Sequence, residues 1–121
     1  PYAELDRAAR GVASRLRERG IGVGDKVALL VPNVPEFTIA YFGILYAGAA
    51  VVPINVLAAA PEVTYFLQDA NARLLIVHPL FESVGRAGAA PLGVPVVLAT
   101  SEVAPDTLGE LAAGDPIEQP H

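Results

Sequence analysis

The stretch Leu45-Tyr-Ala-Gly-Ala-Ala-Val-Val-Pro-Ile-Asn55 sets the end of one helix against the start of a strand with almost no chain between them. Gly48 is the break. Lacking a Cβ, it takes the left-handed conformation that closes a helix, which Ala or Val resists. Val51 and Val52 suit a strand covered on both faces, and Pro53, having no N–H, is expected to end the ladder of hydrogen bonds. A direct handover from buried helix to buried strand belongs to layered α/β architecture.

The rest of the chain follows that alternation. Leu5, Ala8 or Ala9, Val12 and Leu16 recur at three- and four-residue spacing, which predicts a helix over 3–19 that Gly20 stops. Lys26 to Val31 is an apolar run and reads as the first strand. Asn33 with Glu36 reads as an N-cap and capping-box carboxylate for a helix over 35–47. That helix is apolar nearly all round (Phe37, Ile39, Tyr41, Phe42, Ile44, Leu45), which predicts deep burial. Val51 to Ile54 is the second strand. Pro61 sits at a favoured first helical position ahead of Glu62 to Ala70. Arg73 to Val77 is a third strand, Leu80 to Ala89 a short helix, and Val94 to Ala99 a fourth strand. From Thr100 the chain turns polar, with a brief helix at 106–113 and a loose end through Pro116 and Pro120. These elements predict an α/β fold: a parallel, doubly wound sheet with helices on both faces and right-handed crossovers. Residues 1–121 form part of one domain, with 100–121 as a polar tail.

Composition bounds what such a chain can do. A 53% hydrophobic content is high for so short a chain and implies faces that pack against something further. A net charge of −5 argues against a nucleic-acid partner. There are no cysteines, hence neither disulfides nor a thiolate metal site, and His78 and His121 lie far apart for a metal pair. From Phe37 to Pro61 no residue is charged, but Gly43, Gly48, Pro53 and Asn55 cut the run into globular lengths, so no transmembrane span is expected. The chain opens with no basic region ahead of an apolar core, which points to the cytoplasm.

Few residues invite chemistry. Gly20-x-Gly-x-Gly24 follows a helix and precedes a strand, the reverse of a dinucleotide fingerprint, and so reads as a turn. Five of the eight basic residues (Arg7, Arg10, Arg15, Arg17, Arg19) lie on the first helix, with Asp6 placed to pair with Arg10. They read as a solvated face rather than an anion or membrane patch. His78, at a strand end before Pro79, reads as a structural histidine rather than a general base.

Four blocks in order resemble one family. Tyr2-Ala-Glu-Leu5 is similar to a T-Y-x-E-L opening, and Gly20-Ile-Gly-Val-Gly-Asp-Lys-Val27 to G-[VI]-x-x-G-D-x-V. Pro32-Asn-Val-Pro-Glu-Phe37 is similar to P-N-x-x-E-[FW], and Leu45 to Asn55 to L-x-A-G-x-x-x-x-P-[LI]-[ND]. All four belong near the start of the AMP-forming acyl-CoA ligases, the adenylate-forming superfamily. The resemblance implies part of the large N-terminal domain of an ATP-dependent fatty-acid–CoA ligase. Such an enzyme uses ATP, Mg2+ and CoA to turn a carboxylic acid into acyl-AMP and then a thioester. The family's Ser/Thr/Gly loop ending in Lys-Gly is not matched; Thr100-Ser101 runs into Glu-Val, and Lys26, the only lysine, sits in a turn. The resemblance therefore implies a structural segment with no catalytic residue, no metal ligand and no cofactor of its own, completed by the remainder of the same chain. One cofactor contact is implied: Arg86 aligns with an arginine that meets the 3′-phosphate of CoA in the acetyl-CoA synthetase branch. Ser83 stands where a second arginine would be, and Val56-Leu-Ala58 replaces the segment that packs on the CoA adenine. Alternative readings are a peptide-synthetase adenylation fragment and a stand-alone doubly wound binding or signalling module.

Overall fold

The computed structural model describes residues 2–114. The order is α1 (Tyr2–Glu18), β1 (Lys26–Leu30), α2 (Pro35–Tyr46), β2 (Ala50–Pro53), α3 (Ala60–Ala70) and β3 (Leu74–Val77). A 3₁₀ turn at Pro79–Phe81 then leads into α4 (Glu82–Ala89), and a second at Ala90–Leu92 precedes β4 (Val96–Leu98) and α5 (Leu108–Ala112). The four strands pair in parallel in the order β2-β1-β3-β4.

The unbroken apolar runs of β1 and β3 are explained by two cores, one on each side of the sheet. Val27, Leu29, Leu74 and Ile76 face α1, α2 and α5, meeting Val12, Leu16, Ile44, Leu108 and Leu111. Ala28, Leu30, Leu75 and Val77 face the other way, toward α3 and α4, against Val63, Leu67 and Ala89. Successive residues of a strand point to opposite faces, so a strand buried twice must be apolar at every position.

Gly48 closes α2 with φ +93°, and Ala50 N–H then donates to Asp25 O to start β2. The glycine turn ahead of β1 is held by Asp25, whose carboxylate accepts from Gly22 N–H at 2.9 Å and from Arg73 at 3.1 Å.

Several expectations are corrected. Asn33 does not cap α2; the N-cap is Val34, in extended backbone and without a side-chain bond, because Val34 N–H turns back onto Pro32 O. α2 is not buried all round: Phe42 is 43% and Leu45 38% exposed, while Ile44 is fully buried. β2 lies at the edge of the sheet and is only half covered, so Val51 and Val52 are not enclosed on both faces by the described residues. Pro53 does not end the ladder either, since Ile54 N–H still donates to Leu29 O at 2.8 Å. Pro53 faces the open edge, where a missing N–H leaves no gap. α3 begins at Ala60, one residue ahead of Pro61; Glu62 accepts from Ala59 N–H at 3.0 Å, which supplies the N-terminal cap.

The segment from Thr100 to Gly114 is no polar tail. Leu108 and Leu111 are buried, Leu98 N–H donates to Asp106 O, and α5 packs on α1. Thr107 is the hub. Its hydroxyl donates toward Glu102 O and Ala104 O and accepts from Glu110 N–H as the N-cap of α5. The loose end expected through Pro116 and Pro120 lies outside the described residues, as does His121.

Candidate functional site at the carboxyl end of the sheet

In an open parallel sheet the ligand crevice opens where the strand order reverses, beyond the carboxyl ends of the strands. Here that point lies between β1 and β3, because the chain leaves β1 for β2 and returns to the far side of β1 as β3. The loops around it carry Pro32 and Asn33 after β1, Asn55 after β2, His78 after β3, and Thr100 with Ser101 after β4.

These side chains hold turns. His78 N–H continues the ladder to Leu30 O, and its Nδ1 accepts from Leu80 N–H at 3.1 Å, capping the 3₁₀ turn. Asn55 Oδ1 accepts from Leu57 N–H, and Thr100 Oγ1 accepts from Glu102 N–H. His78 thus serves as the N-cap of that 3₁₀ turn. Among the described residues, no group of three His, Cys, Asp or Glu side chains could hold a metal ion.

Arg86 stands in the second turn of α4. Its Nε donates to Glu82 Oε2 at 2.8 Å, and its side chain is half exposed. Its two terminal nitrogens make no hydrogen bond to the described residues.

Arg10, Arg15, Arg17 and Arg19 meet partners within the fold. Arg10 pairs with Asp6 at 2.8 Å and lies over the Tyr46 ring, and the Tyr46 hydroxyl donates to the same carboxylate. Arg17 reaches Tyr46 O, Arg15 approaches Glu18, and Arg19 approaches Asp106. The Arg10 hydrogen bond, helped by that of Tyr46, holds the Asp6 carboxyl below its ordinary value, while Asp6 raises both partners. Asp25 is likewise lowered, first by the Gly22 N–H and then by the Arg73 charge.

One hollow escaped sequence reasoning. A groove of about 290 Å³ runs between α1, the start of α2 and α5, lined by Ala8, Ile39, Leu108 and Ala112, with Glu36 and Thr100 at its rim. The signal for it was the Leu108-x-x-Leu111 spacing, a one-turn apolar stripe inside a segment whose other residues are polar.

What the chain offers is a doubly wound parallel α/β framework whose crevice is lined by turn-forming side chains and which carries no phosphate cradle among the described residues. It belongs to the AMP-binding enzyme family, whose model matches residues 1–119. It is 35% identical, over 98% of its own length, to the long-chain-fatty-acid–CoA ligase FadD13 of Mycobacterium tuberculosis. It is 41% identical, over 66% of its length, to a 3-hydroxybenzoate/4-hydroxybenzoate–CoA ligase of Thauera aromatica. The N-terminal domain of FACL13 from M. tuberculosis superposes with TM-score 0.81 at 33% identity, covering 100% of this chain and 30% of that one. A benzoate CoA ligase from Burkholderia xenovorans LB400 superposes with TM-score 0.90 at 26% identity, over 99% of this chain and 24% of that one. The chain spans 24% of the length of FadD13 and 15% of the Thauera ligase, in their N-terminal parts.

Proposed function

We propose that this chain is the N-terminal part of a cytoplasmic, ATP-dependent fatty-acid–CoA ligase. The whole enzyme activates a carboxylic acid as acyl-AMP and passes the acyl group to CoA. The observation that carries this reading is the family match across residues 1–119, together with the four ordered blocks that fall on the turns and helix ends of this fold. A fatty-acyl ligase is favoured over an amino-acid adenylation domain by the Pro53-Ile-Asn55 and Ala60-Pro-Glu-Val63 segments. The FadD13 likeness, which extends over 98% of the chain, supports the same choice. A peptide-synthetase adenylation domain, which favours Asp at the position of Asn55, is the second reading. A stand-alone signalling module is disfavoured because Asp25 precedes its strand and no lysine follows Lys26.

The segment supplies framework. ATP and Mg2+ do not fit the residues described: a triphosphate needs convergent backbone N–H groups and a lysine, and neither stands at the crevice. CoA fits at one point. The terminal nitrogens of Arg86 face solvent with donors to spare, and a guanidinium that holds only one carboxylate at its Nε retains a fork for a phosphate. Arg86 would therefore hold the 3′-phosphate of CoA and orient the thiol for transfer.

Two measurements test the proposal. The full-length protein should exchange pyrophosphate with ATP only when a fatty acid is present, whereas residues 1–121 alone should neither bind ATP tightly nor release pyrophosphate. Exchange by the short chain would overturn the reading. In the full-length protein, Arg86→Ala should weaken CoA by about 1.5–3 kcal/mol and leave acyl-AMP formation unchanged. Dephospho-CoA should not distinguish mutant from parent. Equal loss with both thiols would make Arg86 a folding residue instead.

A further inference from the structure

Helix α4 is poorly equipped to hold itself in place. Two of its eight residues, Gly85 and Gly88, are glycines, the weakest helix formers after proline, and both face inward. A Cβ at Gly85 would stand 2.9 Å from the Val77 side chain, and one at Gly88 2.5 Å from that of Val63. α4 therefore lies close against β3 and α3, but these apolar contacts have no direction.

Among the described residues, one hydrogen bond joins α4 to α3. The Thr64 hydroxyl lies 2.6 Å from Gly88 O and 3.2 Å from Ala60 O, four residues back on its own helix. A hydroxyl has one proton to give, and the shorter bond takes it. Gly88 is in the last turn of α4, where carbonyls run short of helical donors, and Pro91, three residues on, has no N–H. Thr64 supplies a donor there.

Arg86 sits about 200° round α4 from Gly88 and is exposed. Its partner Glu82 belongs to the same helix, so that ion pair travels with α4 and does not fix Arg86 to the rest of the domain. Where α4 sits decides where the guanidinium points. A helix with its side chains is about 10–12 Å across, so a roll of about 20° carries a side-chain tip about 2 Å. That is enough to break a charge-assisted bond of about 2.7–2.9 Å.

We propose that Thr64 is a positioning residue for thiol binding: its hydroxyl pins α4 at Gly88 O and so holds Arg86 on the 3′-phosphate of CoA. This rests on the reading above that Arg86 meets that phosphate. Thr64 is part-buried between the two helices and acts through α4.

The test uses the full-length protein with Thr64→Val, which keeps the shape and loses the hydroxyl, and Thr64→Ser, which keeps the hydroxyl. The readout is the ratio of kcat/KM for CoA to that for dephospho-CoA. The two thiols differ in the 3′-phosphate alone, so a general loss of folding or catalysis cancels in the ratio. A neutral hydrogen bond is worth about threefold to tenfold in an equilibrium constant, and a clamp passes on no more than it is worth. Thr64→Val should lower the ratio by about that factor, chiefly through KM for CoA, and Thr64→Ser should restore most of it. A ratio unchanged in Thr64→Val while Arg86→Ala lowers it would overturn the proposal. So would an equal fall in Thr64→Ser, which would exclude the hydroxyl as the working group. Should Thr64→Val fold poorly, Thr64→Ala removes the hydroxyl without placing a methyl against Gly88 O, and the same fall is expected. Hydrogen exchange reads the clamp without any thiol: the amides of α4 should exchange about threefold to tenfold faster in Thr64→Val than in the parent. Faster exchange with an unchanged ratio in Arg86→Ala keeps the clamp and sinks the CoA reading of Arg86. A lowered ratio in Arg86→Ala with parental exchange in Thr64→Val keeps that reading and sinks the clamp.

Discussion

Gly11→Ala decides whether α5 is part of the fold, because the two possibilities give opposite signs. In an undocked chain Gly11 is an exposed mid-helix glycine, and alanine there stabilises by about 1 kcal/mol. In the folded chain Gly11 is buried, and a Cβ on it would overlap the carbonyl oxygen of Ala112 and stand 3.0 Å from Gly114 O. Both are backbone atoms, which cannot rotate away as a side chain would. Overpacking of this kind costs about 1–3 kcal/mol, and against rigid backbone the upper half of that range applies. Full release of α5 costs more, since Leu108 and Leu111 are both almost completely buried and each is worth about 1.5–3 kcal/mol. The chain should therefore keep α5 and bear the strain. Net of the helix gain, Gly11→Ala should destabilise by about 1–2 kcal/mol, a fall of about 0.5–1 M in the urea midpoint followed by far-ultraviolet circular dichroism. A double-mutant cycle sharpens this. If Gly11→Ala acts by loosening α5, Leu111→Ala should cost less on top of it than alone. A midpoint that rises for Gly11→Ala would refute the docking of α5, whereas costs that add within about 0.3–0.5 kcal/mol would show that α5 stays in place under the strain.

Phe42 and Ile44 should differ sharply on truncation to Ala. Ile44, fully buried, should lose about 2–5 kcal/mol by thermal or urea unfolding, but Phe42, 43% exposed, only about 1–2 kcal/mol, mostly its ring contacts with Tyr41 and Tyr46. Gly48→Val forces a β-branched residue to φ +93° and should cost about 1–3 kcal/mol, whereas Gly48→Asn should cost clearly less in the same assay. Asp25 and Asp6 both have folded values below the ordinary 3.8. Their contribution to stability is therefore complete above that value and is lost as pH falls through the lower folded values. Urea midpoints measured from pH 6 down to 2 should drop below about pH 4, and the drop should be shallower in Asp25→Asn; an unchanged slope would remove the Gly22 and Arg73 contacts from the account.

The layers of this fold were legible because each element carries its own period. β1 after Lys26 and β3 throughout are apolar at every residue, and α1 and α3 at every third or fourth, so the two-sided sheet follows from counting. What sequence could not supply was which neighbour each face receives. Phe42 and Leu45 read as core because α2 is apolar all round, but helix-wide hydrophobicity does not say which flank lies at an edge strand. α5 read as tail for the opposite reason. Its five residues are too few to show a period, and its burial depends on α1, nearly a hundred residues earlier in the sequence. Asn33 lost its cap role to a backbone bond between Val34 and Pro32, a turn that local composition does not distinguish from an N-cap.

The residues that identify the family and those that could touch a ligand are different sets, for a physical reason. Gly48 with its positive φ, Asp25 holding the Gly22 turn, and Pro53 at the open side of β2 each solve a backbone problem that few other residue types solve. Such positions are rigidly specified and read easily from sequence. Arg86 solves no backbone problem. Its helix would form with almost any polar residue there, and its ion pair with Glu82 is the ordinary i,i+4 pair of an exposed helix. Only a ligand would single it out, so nothing local in sequence or fold distinguishes a phosphate-binding arginine from a solvated one.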